Sequence, residues 1–276
     1  MSNVKLKDNL NAEINMTPST IMGINRLSDE EKQEIYSRLI PQQLIDRFMI
    51  TPHFVDQEGS RLLSLRCNSG SPSVELSLKH RADFPDPILY GHLTDTITGN
   101  IHILLYILND PESPRFDVDR MPDGRPTVFG TQFRNLSAEK AAMEAGLAPG
   151  QVRRGLRMLL DAIIGFEKFV NSLGQSIYFA EPLYYHNAVL FERYGFAYQK
   201  GRKLMERVQS GFSPGGDLLW RLDQSTPFRS VEAANRIRLR SWAIHDGLLG
   251  EPFTDVTMYK QVSKSANIDT SHNCAW

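Results

Sequence analysis

The 276-residue chain is predicted to be a mixed α/β protein, a twisted and mostly antiparallel sheet of six or seven strands flanked by helices. Three observations predict it. From residue 61 the apolar pattern has a period of two; a long helical stripe follows at 148–174; and that stripe is succeeded by a strand, a short helix and a strand. SDEEKQEIYSRLI carries Ser28 and, three residues on, Glu31, the reciprocal capping pattern, with Ile35, Leu39 and Ile40 at helical spacing. Pro41 interrupts this helix and can open a second, PQQLIDRFMI, because the first turn loses no hydrogen bond to proline. Leu63, Leu65 and Cys67, then Val74, Leu76 and Leu78, alternate with polar residues and mark two strands joined by NSGSP. Beyond DFPDP, Gly99 and Asn100 supply the turn between two more, of which IHILLYIL is apolar on both faces and is expected at the centre of the sheet. The segment 110–135, with four prolines and two glycines, has no period and is expected to be a functional or disordered loop.

In APGQVRRGLRMLLDAIIGFEKFVNSLG, Val152, Leu156, Leu159, Ile163, Phe166 and Val170 form a continuous apolar stripe, with Pro149 opening and Gly174 closing the helix. QSIYFAEPLYY is a strand, HNAVLFERYGF a short helix ending at Gly195, and AYQKGRKLMERV the last hairpin. Residues 231–249 are expected as helix then strand, and KSANIDTSHNCAW as a disordered tail. The chain thus divides into an N-terminal helical segment (1–60) packed on the core, a core domain (61–212) and a C-terminal extension (213–276).

Composition narrows the partners. Lys plus Arg number 31 against 32 Asp plus Glu, a net charge of −1, so no global field recruits nucleic acid or anionic lipid and any anion site must be local. No segment has the ~18 consecutive apolar residues of a membrane span, and MSNVKLKDNLNAEIN lacks the apolar stretch of a secretory signal. With only Cys67 and Cys274 there is no disulfide framework, and a reducing, cytoplasmic setting is expected.

Two stretches carry chemistry. In the first, the expected helix start after Ala148 offers unpaired amides and a partial positive charge, and Gly150 lets the backbone approach a phosphate. Arg153, Arg154 and Arg157 add guanidinium groups suited to bidentate phosphate contact, or else form a solvated face balanced by Asp161 and Glu167. In the second, EPLYYHN, Glu181, Tyr184, Tyr185, His186 and Asn187 crowd polar groups where a strand meets a helix, the place a βα loop presents side chains to a ligand. His186 or Asn187 capping the short helix, with Glu181 paired to an arginine, is the structural alternative.

The element order, with GLAPGQVRRGLRMLL and SIYFAEPLYYHNAVLFERYGF, resembles the GCN5-related N-acetyltransferase (GNAT) fold over residues 61–205. The first segment looks like that family's pyrophosphate loop, with Gly155 at its first glycine, Val152 where Gln or Arg is usual and Arg157 at its second small residue. FERYGF looks like the family's closing motif, with Phe191 at the tyrosine that protonates the departing thiolate; the family's asparagine falls on Tyr184, three residues before Asn187. The resemblance implies transfer of an acyl group from acetyl-CoA or another acyl-CoA directly to an amine, on a small-molecule or peptide acceptor. It implies cofactor binding by Gly150, Gln151, Arg153, Arg154, Gly155 and Asn187. His186, or Glu181 through a water, would serve as base, and Tyr184, Tyr185 or Tyr194 as acid. The alternative is a GNAT-like domain that binds a small ligand or a protein and transfers nothing. The extra helices at both ends suit either a cover for the groove or a homodimer contact.

FDVDRMPDG fails the EF-hand pattern because Met121 and Val128 stand where oxygen ligands are needed. His186, Glu181, His245 and Asp246 lack metal-site spacing, so no metal is expected, and SWAIHDG is expected as a polar surface turn. The anchors of serine hydrolases, P-loop proteins and Rossmann folds are missing.

Overall fold

A computed structural model describes residues 18–127 and 133–276. The N-terminal helices are α1 (Ile21–Ile24), α2 (Asp29–Ser37) and α3 (Gln42–Arg47). The capping box at Ser28 and Glu31 closes in both directions, at 3.3 and 3.0 Å. Strands β1 (Leu63–Arg66), β2 (Ser73–Leu78), β3 (Leu89–Asp95) and β4 (Ile101–Leu108) form an antiparallel meander. Next come α4 (Leu136–Glu144), α5 (Leu159–Ser172), β5 (Ile177–Ala180), α6 (Tyr185–Arg193) and β6 (Ala197–Lys200). Helices α7 (Arg202–Phe212), α8 (Asp217–Trp220) and α9 (Ile237–His245) precede β7 (Thr257–Gln261). All seven strands lie in one open sheet of order β1-β2-β3-β4-β5-β7-β6. The protein is mixed α/β with a mostly antiparallel sheet flanked by helices, and none of the described helices is long and apolar enough to cross a membrane.

One sheet face is sealed by α5. Phe166, Phe169 and Val170 are buried there, and Phe166 meets Tyr106 of β4 edge-on at 5.0 Å and stacks on Tyr178 of β5 at 6.2 Å. Each such ring contributes about 1.5–3 kcal/mol of burial, enough to fix the helix across the two strands. A second cluster, Val118, Ala142, Leu147, Phe228 and Trp242, ties α4 and α9 together.

The strands α5 joins part company. β4 and β5 run parallel but share only two register pairs, His102 with Phe179 and Ile103 with Ala180. At that point β4 bulges: His92 pairs with Leu105 and Leu93 with Ile103, so Leu104 is the extra residue. A bulge bends its strand and reverses the in–out alternation. Beyond Ile103 the β4 edge has no strand neighbour until Leu108 O accepts from Leu156 N at 3.4 Å, which opens a wedge in the sheet; Leu104 to Leu108 are each only half-buried although the run is apolar and in mid-sheet, with Tyr106 turned under α5.

Several expectations are corrected. The helix expected at 148–174 begins only at Leu159. Residues 151–156 are irregular instead, bent at Val152 and Arg153, with Gly155 bridged to Asn109, Asp110 N donating to Arg154 O at 2.8 Å and Phe116 N to Val152 O at 2.8 Å, and Arg157 adopts φ 61° before the first turn. The ladder against the end of β4 supplies these backbone groups with partners that a helix would otherwise provide. Residues 202–212 are α7 rather than half of a hairpin, and the second half of 231–249 is helical, not strand. The boundary expected at 212 does not divide the sheet, because β7 of the extension inserts between β5 and β6. The C-terminal residues are packed, not a loose tail. Thr270 and Ser271 are buried, and Thr270 donates from N and Oγ1 to the buried carboxylate of Glu192 on α6, at 3.0 and 2.6 Å. Part of the long loop, residues 128–132, lies outside the described residues.

Candidate functional site

The mouth of the wedge is framed by the end of β5, the start of α6, the start of α5 and the loop after Leu147. Tyr184 sits at its centre. It is the residue before α6 and has extended backbone (φ −136°, ψ 157°), so its ring swings out of the helix line. That ring stacks on His186 at 5.8 Å and meets His245 edge-on at 5.5 Å. It also lies directly over Gly150, which has φ +79°; a Cβ added there would fall 2.5 Å from the Tyr184 ring and 2.8 Å from its hydroxyl. Glycine is therefore required twice, for the left-handed backbone and for the close approach. Gly150→Ala is expected to cost about 2–4 kcal/mol, combining left-handed strain with overpacking against a ring that its neighbours hold. In the double variant with Tyr184→Ala only the overpacking part should be recovered. Denaturant unfolding of the four proteins checks this, and strictly additive losses would show that the ring contact carries nothing.

The arginines of the 153–157 stretch divide into two kinds. Arg153 is turned inward: it is buried, donates from Nε to Asp86 Oδ2 at 2.8 Å, bonds the Ser113 carbonyl, and lies 5.1 Å over the Phe84 ring. The expected cofactor role of Arg153 is corrected on that ground, since its donors are committed within the fold. Gln151 likewise accepts from Ala148 N at 2.8 Å and braces the turn, and the Gly155 backbone is tied to Asn109. Arg154 and Arg157 are exposed. They converge on Arg238 of α9, whose guanidinium is held below its ordinary value first by burial and then by the like charges of Arg157 and Arg154. None of the three forms an ion pair with a carboxylate among the described residues. The true helix start lies alongside: α5 has no side-chain cap, so the first-turn amides of Leu159, Leu160 and Asp161 are left without intrahelical partners. Three cations thus lie near a bare helix N-terminus, which falls ten residues beyond the start the sequence suggests.

The catalytic candidates are dispersed. His186 is buried; its Nδ1 pairs with Ser241 Oγ at 2.9 Å, and burial followed by the charges of Arg238 and His245 pushes it down to about 3. It is a neutral core imidazole at physiological pH, which opposes the expected role as base. Glu181 is exposed just past β5, its backbone N donating to Ile103 O at 3.1 Å. Tyr185 is buried with its hydroxyl accepting from Arg240 Nη1 at 3.0 Å, and burial pushes it up to about 12, so it faces away from the mouth as a core residue. Tyr194 caps the far end of α6, about 14 Å along the axis from Tyr185. Asn187 is half-buried in the first turn of α6. The structure thus brings Gly150, Tyr184 and His186 together and leaves Glu181, Tyr185 and Tyr194 apart.

The sequence reading overlooked a buried charge network at the same mouth. Arg134 holds the Glu139 carboxylate through two guanidinium nitrogens and reaches Asp246 at 3.1 Å; Asp246 also accepts from Arg229 at 3.1 Å and Thr226 at 2.8 Å. His245 Nε2 lies 3.3 Å from Glu139 Oε1. Burial raises the Glu139 carboxyl, but the hydrogen bonds from His245 and Arg134 and the Arg134 charge outweigh it and hold the group below its ordinary value. Only the odd polarity of SWAIHDG hinted at this cluster, since its partners lie 106 and 112 residues away. No group of three or more His, Cys, Asp or Glu suited to a metal ion converges among the described residues.

Comparison of the chain with protein-family models, with curated proteins and with solved structures finds no match.

Proposed function

We propose that the protein is an acyl-coenzyme A-dependent N-acyltransferase of GNAT type, transferring the acyl group directly to a small-molecule amine or peptide acceptor. The observation that carries this reading is the wedge opened at Leu104, with an uncapped helix start and, at its end, Arg154, Arg157 and Arg238, none of them paired with a carboxylate among the described residues. An acyl-coenzyme A has a polyanionic diphosphate head and a long, thin amide-containing arm. The head suits the three guanidiniums and the α5 amides, through charge-assisted bonds. The arm suits an unpaired strand edge, which offers backbone donors and acceptors over Leu104 to Ile107, on an apolar bed. Chemistry would fall near Tyr184. Its hydroxyl, raised to about 12 chiefly by burial, stays protonated and can donate to a thioester oxygen or a departing thiolate. The pyrophosphate grip assigned in sequence to Gly150, Gln151 and Arg153 passes in this proposal to the α5 start and the outer arginines. The two cysteines, both free, agree with a reducing cytoplasmic setting.

A second reading, a GNAT-like domain that binds without transferring, is favoured by Phe191 at the usual tyrosine position and by the inward commitment of His186 and Tyr185. Calorimetry with coenzyme A, acetyl-CoA and longer acyl-CoAs separates the cases, together with thiol release in the presence of amines. Binding with thiol release is the expected result. Binding without release across free amino acids, polyamines and lysine peptides supports the second reading, and no binding by any of these coenzymes removes the transferase reading.

A further inference from the structure

We propose that His245 is the catalytic base of this site and Glu139 its positioning residue. The inference rests on the acyltransfer reading. It follows from comparing four imidazoles around the wedge, of which His92, paired across with Leu105, is bonded through Nε2 to Ser73 Oγ at 3.0 Å and to no carboxylate. His102, on β4 one residue before the last position paired with β5, has a buried Nε2 with no partner among the described residues and no carboxylate bonded to it, and burial lowers its affinity for a proton. His186 is sealed against Ser241. His245 alone is bonded to a carboxylate, and that carboxylate is fixed by Arg134, so the ring is held in one orientation and a proton gained on it meets a negative charge.

Position supports the same assignment. His245 is the last residue of α9, packed between Trp242 at 5.8 Å and Tyr184 at 5.5 Å, and Tyr184 is the residue that covers Gly150 at the mouth. Trp242 is itself pinned by donating from Nε1 to Leu147 O at 2.8 Å. Nε2 is engaged by Glu139, and Nδ1 has no hydrogen-bond partner among the described residues. Nδ1 is thus the atom that receives the proton. In the step, the acceptor nitrogen attacks the thioester carbon, a C–N bond forms and the C–S bond breaks. The nitrogen's proton passes to His245 Nδ1 and then to solvent, and the coenzyme leaves as thiolate and takes a proton from solvent. No redox partner is needed.

The test uses the full chain with acetyl-CoA and the amine that gives the fastest thiol release. His245→Gln should lower kcat about 10²–10⁴-fold, the usual size of a general-base contribution, while the acetyl-CoA Kd changes less than about 2-fold. In His245→Ala, added imidazole should restore part of the rate, which a purely structural role would not permit. Glu139→Gln should lower kcat about tenfold with KM unchanged, and it decides the matter if both His245 variants fail to fold. Folded His245→Gln with a rate within threefold of wild type, or Glu139→Gln with an unchanged rate, overturns the assignment and leaves the acyltransfer reading standing. Wild-type binding without thiol release from any amine overturns the base but not the coenzyme site. No binding of acetyl-CoA by wild type overturns the acyltransfer reading and the base with it.

Discussion

Arg154→Glu combined with Arg157→Glu is expected to abolish acetyl-CoA binding, a loss of more than about 100-fold, while leaving the unfolding midpoint nearly unchanged. A charge-assisted hydrogen bond is worth about 1.5–3 kcal/mol, so each arginine truncated singly to alanine should weaken binding roughly 10–100-fold, and reversal adds repulsion to the loss. Arg154 and Arg157 are exposed and neither side chain is bonded to another group among the described residues, so their removal unpairs nothing in the fold; Arg238, which donates to Gly146 O at 2.6 Å and lies 5.3 Å over the Trp276 ring, is left in place. The binding should also weaken with added salt, because the outer arginines are screened. Calorimetry at two ionic strengths measures both effects. Unchanged affinity in the double variant would separate the anion site from the coenzyme.

Asp86→Ala is expected to do the opposite: to destabilise the fold by about 3–5 kcal/mol without a direct effect on the coenzyme head. Asp86 is buried and accepts from Arg153 at 2.8 Å and from Arg115 at 3.1 Å; its loss leaves the buried Arg153 without a carboxylate, while Arg115 keeps Asp117 and Asp119. Burial alone would raise its carboxyl, but the bonds and charges of Arg153 and Arg115 hold it below the ordinary 3.8. The group's folded value is the lower one, so its contribution is fully present above about pH 3.8 and is lost as pH falls through that folded value. The gap between Asp86→Ala and wild type should therefore be full at neutral pH and shrink in acid. Urea midpoints at several pH values check this, and a gap that widened in acid would contradict the pair.

These two experiments turn on a distinction that local pattern does not contain. Arg153, Arg154 and Arg157 are equivalent in sequence, yet Arg153 meets an aspartate 67 residues away and the others meet only another arginine. The strands from Leu63 to Leu108 were legible because alternation and turn residues are local. The start of α5 was not, since Val152 and Leu156 continue its stripe by coincidence while their backbones pair with residues 108–116. Helix α4 left no mark beside the proline-rich segment. In α7, Met205, Val208 and Phe212 follow helical steps that become visible only when the segment is read past Val208. Strand β7 was hidden by Lys260, which occupies an inward position and is tolerated because Glu167 lies 3.2 Å away. At the site, the Tyr184 corner was found as a cluster of polar residues, whereas Arg238 and Glu139 arrive from distant helices with no shared motif.

The placement of β7 between β5 and β6 bears on how the molecule is made. The ribosome releases β5 and β6 before the strand that joins them, and 77 residues separate Ala180 from Thr257. At ~5–20 residues per second that interval is about 4–15 s, and for about the last 3–11 s of it, after β6 ends at Lys200, two strand edges wait on the nascent chain. Chaperone protection over that window, rather than the final stability of the sheet, would then set the yield of active protein in the cell.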